Sequence, residues 1–306
     1  MAKVTVIITV LNEESTIPEL LTGLEKQSLQ PSEVIIVDGG SNDKTKTMIN
    51  SLNSKSTLNI KLLHKKGNRS MGRNLAIARN KTDLIAITDA GCVPKKNWLQ
   101  ELVKIQVETK APVVSGYYAG KATTRFEEAV IPYALVMPDK VDSNNFLPAT
   151  RSMLLSKKVW EKIGGFDEKL SDNEDYAFAR KIKRSDIKIA FAEKAIVFWK
   201  PRSNISSFFK MIFRFARGDI KAGILRPKVI LIFVRYLLLL LATIFILKFS
   251  DLKSVIQLWT PLFVLYSLWA IDKNVKYTPK GWYFLPLLQI TSDIAVMSGS
   301  IAGLIL

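Results

Sequence analysis

The chain has 306 residues, room for about two domains, and 44 Lys and Arg against 27 Asp and Glu give a net charge of +17. Residues 201–306 hold 13 of those cations against only 4 acids, mostly beside long apolar runs, which argues against nucleic acid as the partner and for an anionic membrane surface. The single cysteine, Cys92, excludes an internal disulfide.

Met1-Ala2-Lys3 runs straight into Val4–Val10, an apolar β-branched run that predicts a strand and no leader peptide. Ser15–Gln27 follows as a helix, with Ser15 as N-cap and Pro18 in the first turn. Glu33–Asp38 is a strand, Asp43–Ser51 a helix capped by Asp43, and Asn59–His64 a strand. Ser70–Asn80 predicts a helix, Asp83–Asp89 a strand and Lys96–Glu108 a helix. Continuous Val/Ile strands alternating with helices predict an α/β fold with a parallel sheet covered on both faces. Ligands in such sheets bind at the carboxyl ends of the strands, here Val10–Glu13, Asp38–Asp43, Lys65–Arg73 and Asp89–Cys92. Asp89 stands at one of these ends. A carboxylate there suits a hard cation carrying a phosphate, while the position that would hold a second carboxylate is Gly91.

From 112 to 200 the alternation loosens. Val113–Tyr118, Met153–Leu155 and Ile196–Trp199 predict strands and Glu174–Lys183 a helix, a half expected to shape the acceptor side. Residues 201–228 form an amphipathic juxtamembrane segment: Ile205, Phe208, Phe209, Ile212, Phe213 and Ala216 recur at helical spacing between basic residues. Three apolar spans follow, at about 229–247, 255–271 and 283–304. The basic 272–282 loop and the basic 200–228 segment place those two stretches on the cytoplasmic side of a multi-pass cell-membrane protein, with residues 1–200 as a cytoplasmic catalytic domain. A re-entrant pairing of the last two segments is the alternative. Arg235 and Asp293 fall within spans, where they pair with each other or Arg235 snorkels to a headgroup.

Six segments carry a family resemblance in the family's order. They are Thr9-Val10-Leu11-Asn12-Glu13; Val37-Asp38-Gly39-Gly40-Ser41-Asn42-Asp43-Lys44-Thr45; Arg73-Asn74-Leu75-Ala76; Thr88-Asp89-Ala90-Gly91; Ile163-Gly164-Gly165-Phe166-Asp167-Glu168; and Asn173-Glu174-Asp175. Together they resemble the inverting family 2 glycosyltransferases of the GT-A fold. Pro201-Arg202-Ser203 and Arg214-Phe215-Ala216-Arg217-Gly218-Asp219 resemble a membrane-attached subgroup whose acceptors are often lipid-linked.

The resemblance implies a UDP- or GDP-linked sugar donor, an Mg2+ or Mn2+ ion on Asp89, and a lipid or lipid-linked acceptor. The donor would be held by Thr9, Val10, Asn12, Glu13, Asp38, Gly40, Ser41, Arg73, Asp89, Ala90 and Gly91. Asp38 would accept from the uracil or guanine edge, Glu13 would hold base or ribose, and Arg73, rather than Arg69, would face the diphosphate. Asp175 would be the general base, with Glu174 beside it and Asp172 as runner-up. Arg151, Arg202, Arg214 and Arg217 are candidates for acceptor or phosphate contacts. His64 and Cys92 read as structural. No Gln-x-x-Arg-Trp segment follows Asp175, which favours transfer of one sugar over processive synthesis. A homo-oligomer through the spans is left open. A catalytically inactive nucleotide-sugar-binding scaffold is the alternative function, prompted by Gly39 and Gly91.

Overall fold

The computed structural model describes residues 3–305; Met1 and Ala2, where the absence of a leader was read, lie outside them. Two compact units divide the chain, and the division differs from the sequence expectation. Residues up to 121 and 137–200 form the first; 122–136 join 201 onward in the second.

The first unit is built on one mixed sheet of eight strands, in the order β3-β2-β1-β4-β7-β6-β8-β5. Its first four strands, β1 (Val4–Val10), β2 (Glu33–Asp38), β3 (Ile60–His64) and β4 (Leu84–Ile87), are parallel. They fall within a residue or two of the predicted positions. Six of the seven β1 residues are buried, as a strand covered on both faces requires. The chain winds outward from β1 to β3 and then returns to place β4 on the other side of β1. That reversal opens a crevice at the carboxyl ends of β1 and β4.

The helices between these strands are α1 (Ile17–Glu25), α2 (Thr45–Asn53) and α3 (Arg69–Arg79), with α4 (Trp98–Thr109) after β4. Two expected caps are displaced. Helix α1 starts after Thr16, leaving Ser15 outside, and α2 starts after Lys44. Asp43 still serves the entry to α2, accepting from Thr45 N at 3.0 Å and from the Thr45 hydroxyl.

Strands β6 (Val113–Gly120), β7 (Met153–Ser156) and β8 (Ile189–Trp199) extend the sheet, with the short β5 (Cys92–Pro94) at its edge. Strand β8 is longer than expected because a register shift at Gly116/Tyr117 lets it pair with all of β6 past the exposed Glu193-Lys194. Helices α6 (Lys157–Lys162) and α7 (Glu174–Arg184) pack beneath β7, where stacked Phe166 and Phe178, 4.0 Å between ring centroids, join the core.

The second unit contains α5 (Arg125–Ala134), α8 (Ile205–Lys221), α9 (Pro227–Phe249), α10 (Leu252–Asn274) and α11 (Leu285–Ile305). Helix α5 opens on a capping box, Thr124 with Glu127. It docks on α11 through Tyr133 Oη, which donates to Leu285 O at 3.0 Å, and through a Phe126–Phe284 edge contact. The last three helices are each long and apolar enough to cross a membrane. Helix α8 lies backbone-close to α11: a Cβ added at Gly299 would stand 2.3 Å from Phe213 O, and one at Gly303 2.9 Å from Arg217 O. Small residues four apart on α11 permit that approach. Arg235 and Asp293 pair at 2.6 Å, the first of the two alternatives read from the sequence.

Candidate active site

The crevice side chains come from the loop after β4 and from the first turns of α3 and α7. Asp89 lies two residues beyond β4, with its side chain about a third exposed. Arg73 rises from the first turns of α3 and is 1% exposed. Its guanidinium donates through one Nη to Glu174 Oε1 at 2.6 Å and through the other to Asp89 Oδ1 at 3.0 Å. Glu174 is buried at the first position of α7, and Asp175, half-buried, is the next residue. The residue before them, Asn173, adopts a left-handed conformation with φ 55°. Asn tolerates that region better than most residues, and such strain concentrates at functional loops.

Asn74 fixes this arrangement from the other side of Arg73. Its amide donates to Phe166 O at 2.9 Å and to Glu168, and its oxygen accepts from Phe166 N and Trp160 Nε1, each at 3.0 Å. The loop it latches turns on Gly165, φ 69°, where an added Cβ would stand 2.9 Å from both Asn74 Oδ1 and Trp160 Nε1. The Arg-Asn pair therefore divides its work: Arg73 braces two carboxylates and Asn74 pins the loop before α7.

Electrostatics sharpen the site. Burial alone would push the Asp89 carboxyl up, but Arg73, Arg69 and Arg151 together hold it below the usual range. Burial likewise opposes the Arg73 charge, and Glu174 and Asp89 more than restore it. Arg151 sits over the Tyr118 and Trp199 rings, at 5.4 and 5.7 Å, within the fields of Asp89 and Asp175. The buried Cys92 thiol is pushed up by burial and by Asp89, so it is inert packing, consistent with its expected role.

Two residues expected to touch the donor are enclosed by their neighbours, and Asp38 is the first. It is 0% exposed, and its oxygens accept from Ser41 N at 3.0 Å, the Ser41 hydroxyl and His64 Nδ1 at 3.1 Å. Arg73 is the second: the core encloses it and two carboxylates occupy its Nη groups.

Ser41 is internal too, its hydroxyl accepting from Asn12 N at 2.9 Å. Asn12, φ 57°, is exposed, and its side chain accepts from Asn42 N; Glu13 accepts from the Thr16 hydroxyl. Thr9 and Val10 end β1, with Thr9 turned toward Gly72 of α3; Gly40 takes φ 107°. Ala90 is buried, and a Cβ at Gly91 would meet nothing within 4 Å. Arg202, Arg214 and Arg217 belong to the second unit, where Phe209, Lys210, Phe213, Arg214 and Arg217 line a shallow groove along α8. The sequence reading quoted Asn74 within the Arg73-Asn74 segment without giving it a role, and missed Tyr118, Trp199 and the His64–Asp38 contact. The Asn beside Arg73 was the one available signal.

Among the described residues, no three His, Cys, Asp or Glu side chains converge to hold a metal by themselves. The site fits a shared hard cation instead. Asp89 offers carboxylate oxygen at the crevice, and the open space at Gly91 leaves room for oxygens from a ligand or water.

A mixed α/β sheet with a carboxylate-rimmed switch-point crevice, followed by three helices of membrane-crossing length, is the architecture expected of a membrane-attached GT-A domain. Residues 5–164 match the family model described as glycosyl transferase family 2, and the chain belongs to that family. It is 24% identical over 231 residues to "Glycosyltransferase AglE" of Haloferax volcanii, covering 72% of this chain and 74% of that protein. Among solved structures it is similar in fold to the mannosyltransferase PcManGT of Pyrobaculum calidifontis in complex with GDP-Man and Mn2+, with TM-score 0.62, 18% identity, 96% of this chain and 87% of that one. It is also similar to S. aureus TarS 1-349 in complex with UDP-GlcNAc, with TM-score 0.54, 18% identity, and 98% and 91% coverage.

Proposed function

We propose that this protein is an inverting, cation-dependent glycosyltransferase that moves one sugar from a UDP- or GDP-linked donor to a lipid or lipid-linked acceptor at the cytoplasmic face of a membrane. The observation that carries the reading is the Asp89–Arg73–Glu174 chain of ion pairs, which draws α7 and its Asp175 to the switch-point crevice. Inversion needs one displacement, with a base on the acceptor side and a stabilised diphosphate leaving group. Asp175 is the base: its half-buried carboxylate takes the acceptor hydroxyl proton as that oxygen attacks the anomeric carbon. Glu174 neutralises Arg73 and so keeps α7 in place, and does not share the proton transfer. Asp89 would hold Mg2+ or Mn2+, with the donor's phosphates supplying further oxygen ligands. That cation, when bound, offsets the charge growing on the leaving diphosphate. Arg151, near both Asp89 and Asp175, attracts the same phosphates.

A membrane-embedded acceptor is supported by the three long apolar helices and by the basic groove of α8 with Arg214 and Arg217, joined by the exposed Arg202. Basic stretches at 200–228 and 272–280 support a cytoplasmic side for both. A second reading, a donor-binding scaffold without turnover, draws on Gly91, where no second carboxylate stands.

Membranes containing the full chain, given radiolabelled UDP- and GDP-sugars, should label the lipid extract, and NMR of the product should show an inverted anomeric centre. Asp175→Asn should lower turnover at least about 100-fold while donor still raises the melting temperature. Wild-type turnover in Asp175→Asn would sink the base assignment. Donor binding without transfer in wild type would favour the scaffold.

A further inference from the structure

The burial of Asp38 leaves the donor's base without the carboxylate expected to meet it, and the geometry supplies a replacement. Strands β1, β2 and β3 end in register, Val10 beside Asp38 and Asp38 beside His64. Asp38 is sealed behind Ser41, but the His64 side chain that bonds it is 57% exposed. The ammonium of Lys46, whose side chain is 46% exposed, stands 3.7 Å from the same Asp38 oxygen. A ligand approaching the ends of β2 and β3 therefore meets an imidazole and an ammonium, with the carboxylate behind them.

The tautomer follows from the partners. Asp38 accepts the Ser41 amide and hydroxyl, which is the chemistry of an ionised carboxylate. His64 Nδ1 must then carry a proton and donate to Asp38 Oδ2. In the neutral ring the other nitrogen, Nε2, then carries the lone pair. A carboxylate behind the ring fixes this tautomer and makes Nε2 a better acceptor.

We propose that His64, oriented by Asp38, reads the base of the donor nucleotide. Its Nε2 accepts the ring N–H of a lactam base, uracil N3–H or guanine N1–H, with Lys46 available to the adjacent carbonyl. A cytosine or adenine in the same pose presents a ring lone pair to Nε2 and is disfavoured. The inference rests on the glycosyltransferase reading for the existence of a nucleotide donor. Spacing supports it: with β3, β2, β1 and β4 side by side, His64 and Asp89 sit three strand spacings apart, about 14 Å. An extended nucleoside diphosphate, with its base at β3 and its phosphates at β4, suits that span. His64 is a specificity-determining residue here and takes no part in the transfer.

Isothermal titration of the full chain in detergent with UDP, GDP, CDP and ADP, in Mn2+, tests this. Wild type should prefer UDP or GDP. His64→Ala should weaken the preferred nucleotide about ten-fold and shrink its margin over CDP or ADP. His64→Gln, whose amide oxygen is again an acceptor, should restore part of both. Asp89→Asn should weaken the cation-dependent part of binding and keep the base preference. Unchanged affinities and margins in His64→Ala would overturn the proposal and leave the glycosyltransferase reading standing. Absence of nucleotide binding in wild type would overturn both. The exposed position of His64 predicts a native-like melt for both His64 variants, so a collapsed melt in both would show a structural role instead.

Discussion

Removing Glu174 tests the brace at the centre of the site. Glu174 and Arg73 are 3% and 1% exposed, and the N···O distance is 2.6 Å. Truncation to Ala leaves the guanidinium buried with Asp89 alone, and breaking a buried pair in this way costs about 3–5 kcal/mol. Against the roughly 5–15 kcal/mol that holds a domain together, this is a large fraction. Glu174→Gln keeps an acceptor for Arg73 but loses the charge, so it should cost only about 1 kcal/mol, the difference between a charged and a neutral hydrogen bond. Arg73→Met strands Glu174, which cannot rehydrate, more severely than Asp89, which is a third exposed. The double variant Arg73→Met/Glu174→Met removes both buried charges at once and should be less destabilised than the sum of Arg73→Met and Glu174→Met by about 2–3 kcal/mol. Urea melts of the full chain in mild detergent, followed by tryptophan fluorescence, would give the free energies of wild type, the two Met singles and the double. Stability regained in the double variant should not bring activity back, since Asp89 and α7 have lost the group that joined them. Additivity within about 0.5 kcal/mol would refute the argument, because it would mean the two side chains do not share a buried ion pair.

Gly91→Asp should be tolerated, changing stability by less than about 0.5 kcal/mol, because its Cβ enters open space. The second carboxylate beside Asp89 should raise Mn2+ affinity at least about ten-fold, measured by titration with the metal alone; unchanged affinity would mean that the two side chains do not face one ion. Acid stability checks Asp38. Burial raises its carboxyl, and bonds from Ser41 and His64 together with the Lys46 charge bring it below the ordinary 3.8. A depressed folded value contributes stability that is present above about 3.8 and lost as pH falls through the lower folded value. Ser41→Ala removes one of those bonds, so its melting temperature should fall less steeply than that of wild type below about pH 4. Equal slopes would show that Ser41 does not hold the charged form.

The parallel half of the sheet was legible because its strands are continuous apolar runs closed by polar loops, a pattern set by burial on both faces. The same pattern located Asp89, while α7 was read separately as the helix Glu174–Lys183. It did not reveal which way a strand-end carboxylate turns. Asp38 and Asp89 occupy equivalent places in the sequence, yet Ser41 folds back over one while the other stays open. That choice is made by contacts three residues away and across strands, which periodicity does not carry. Helix α5 was missed although Thr124-Arg125-Phe126-Glu127 is a capping box, because its apolar face matches a partner more than 150 residues away, at Leu285. Strand β5 has three residues, too few to show a period.

The three membrane-length helices carry an analogous pairing of distant residues. Arg235 lies eight residues into α9, Asp293 eight into α11, and Tyr266 eight before the end of α10. At 1.5 Å per residue, each stands about 12 Å from the end of its helix. Asp293, 1% exposed, accepts from Arg235 at 2.6 Å, Tyr236 at 3.1 Å, Gln289 at 3.0 Å and the Tyr266 hydroxyl. A lone carboxylate at that depth in hydrocarbon is costly, and any slip of one helix along its neighbours by a turn would leave it alone. Apolar side chains packing in lipid define register weakly, since every depth offers similar contacts. The acidic residue makes one register much better than the others, and its cost is the reason it can do so. The Arg73 brace in the crevice obeys the same logic: a charge too expensive to leave unpaired fixes where α7 must sit, and with it the position of Asp175.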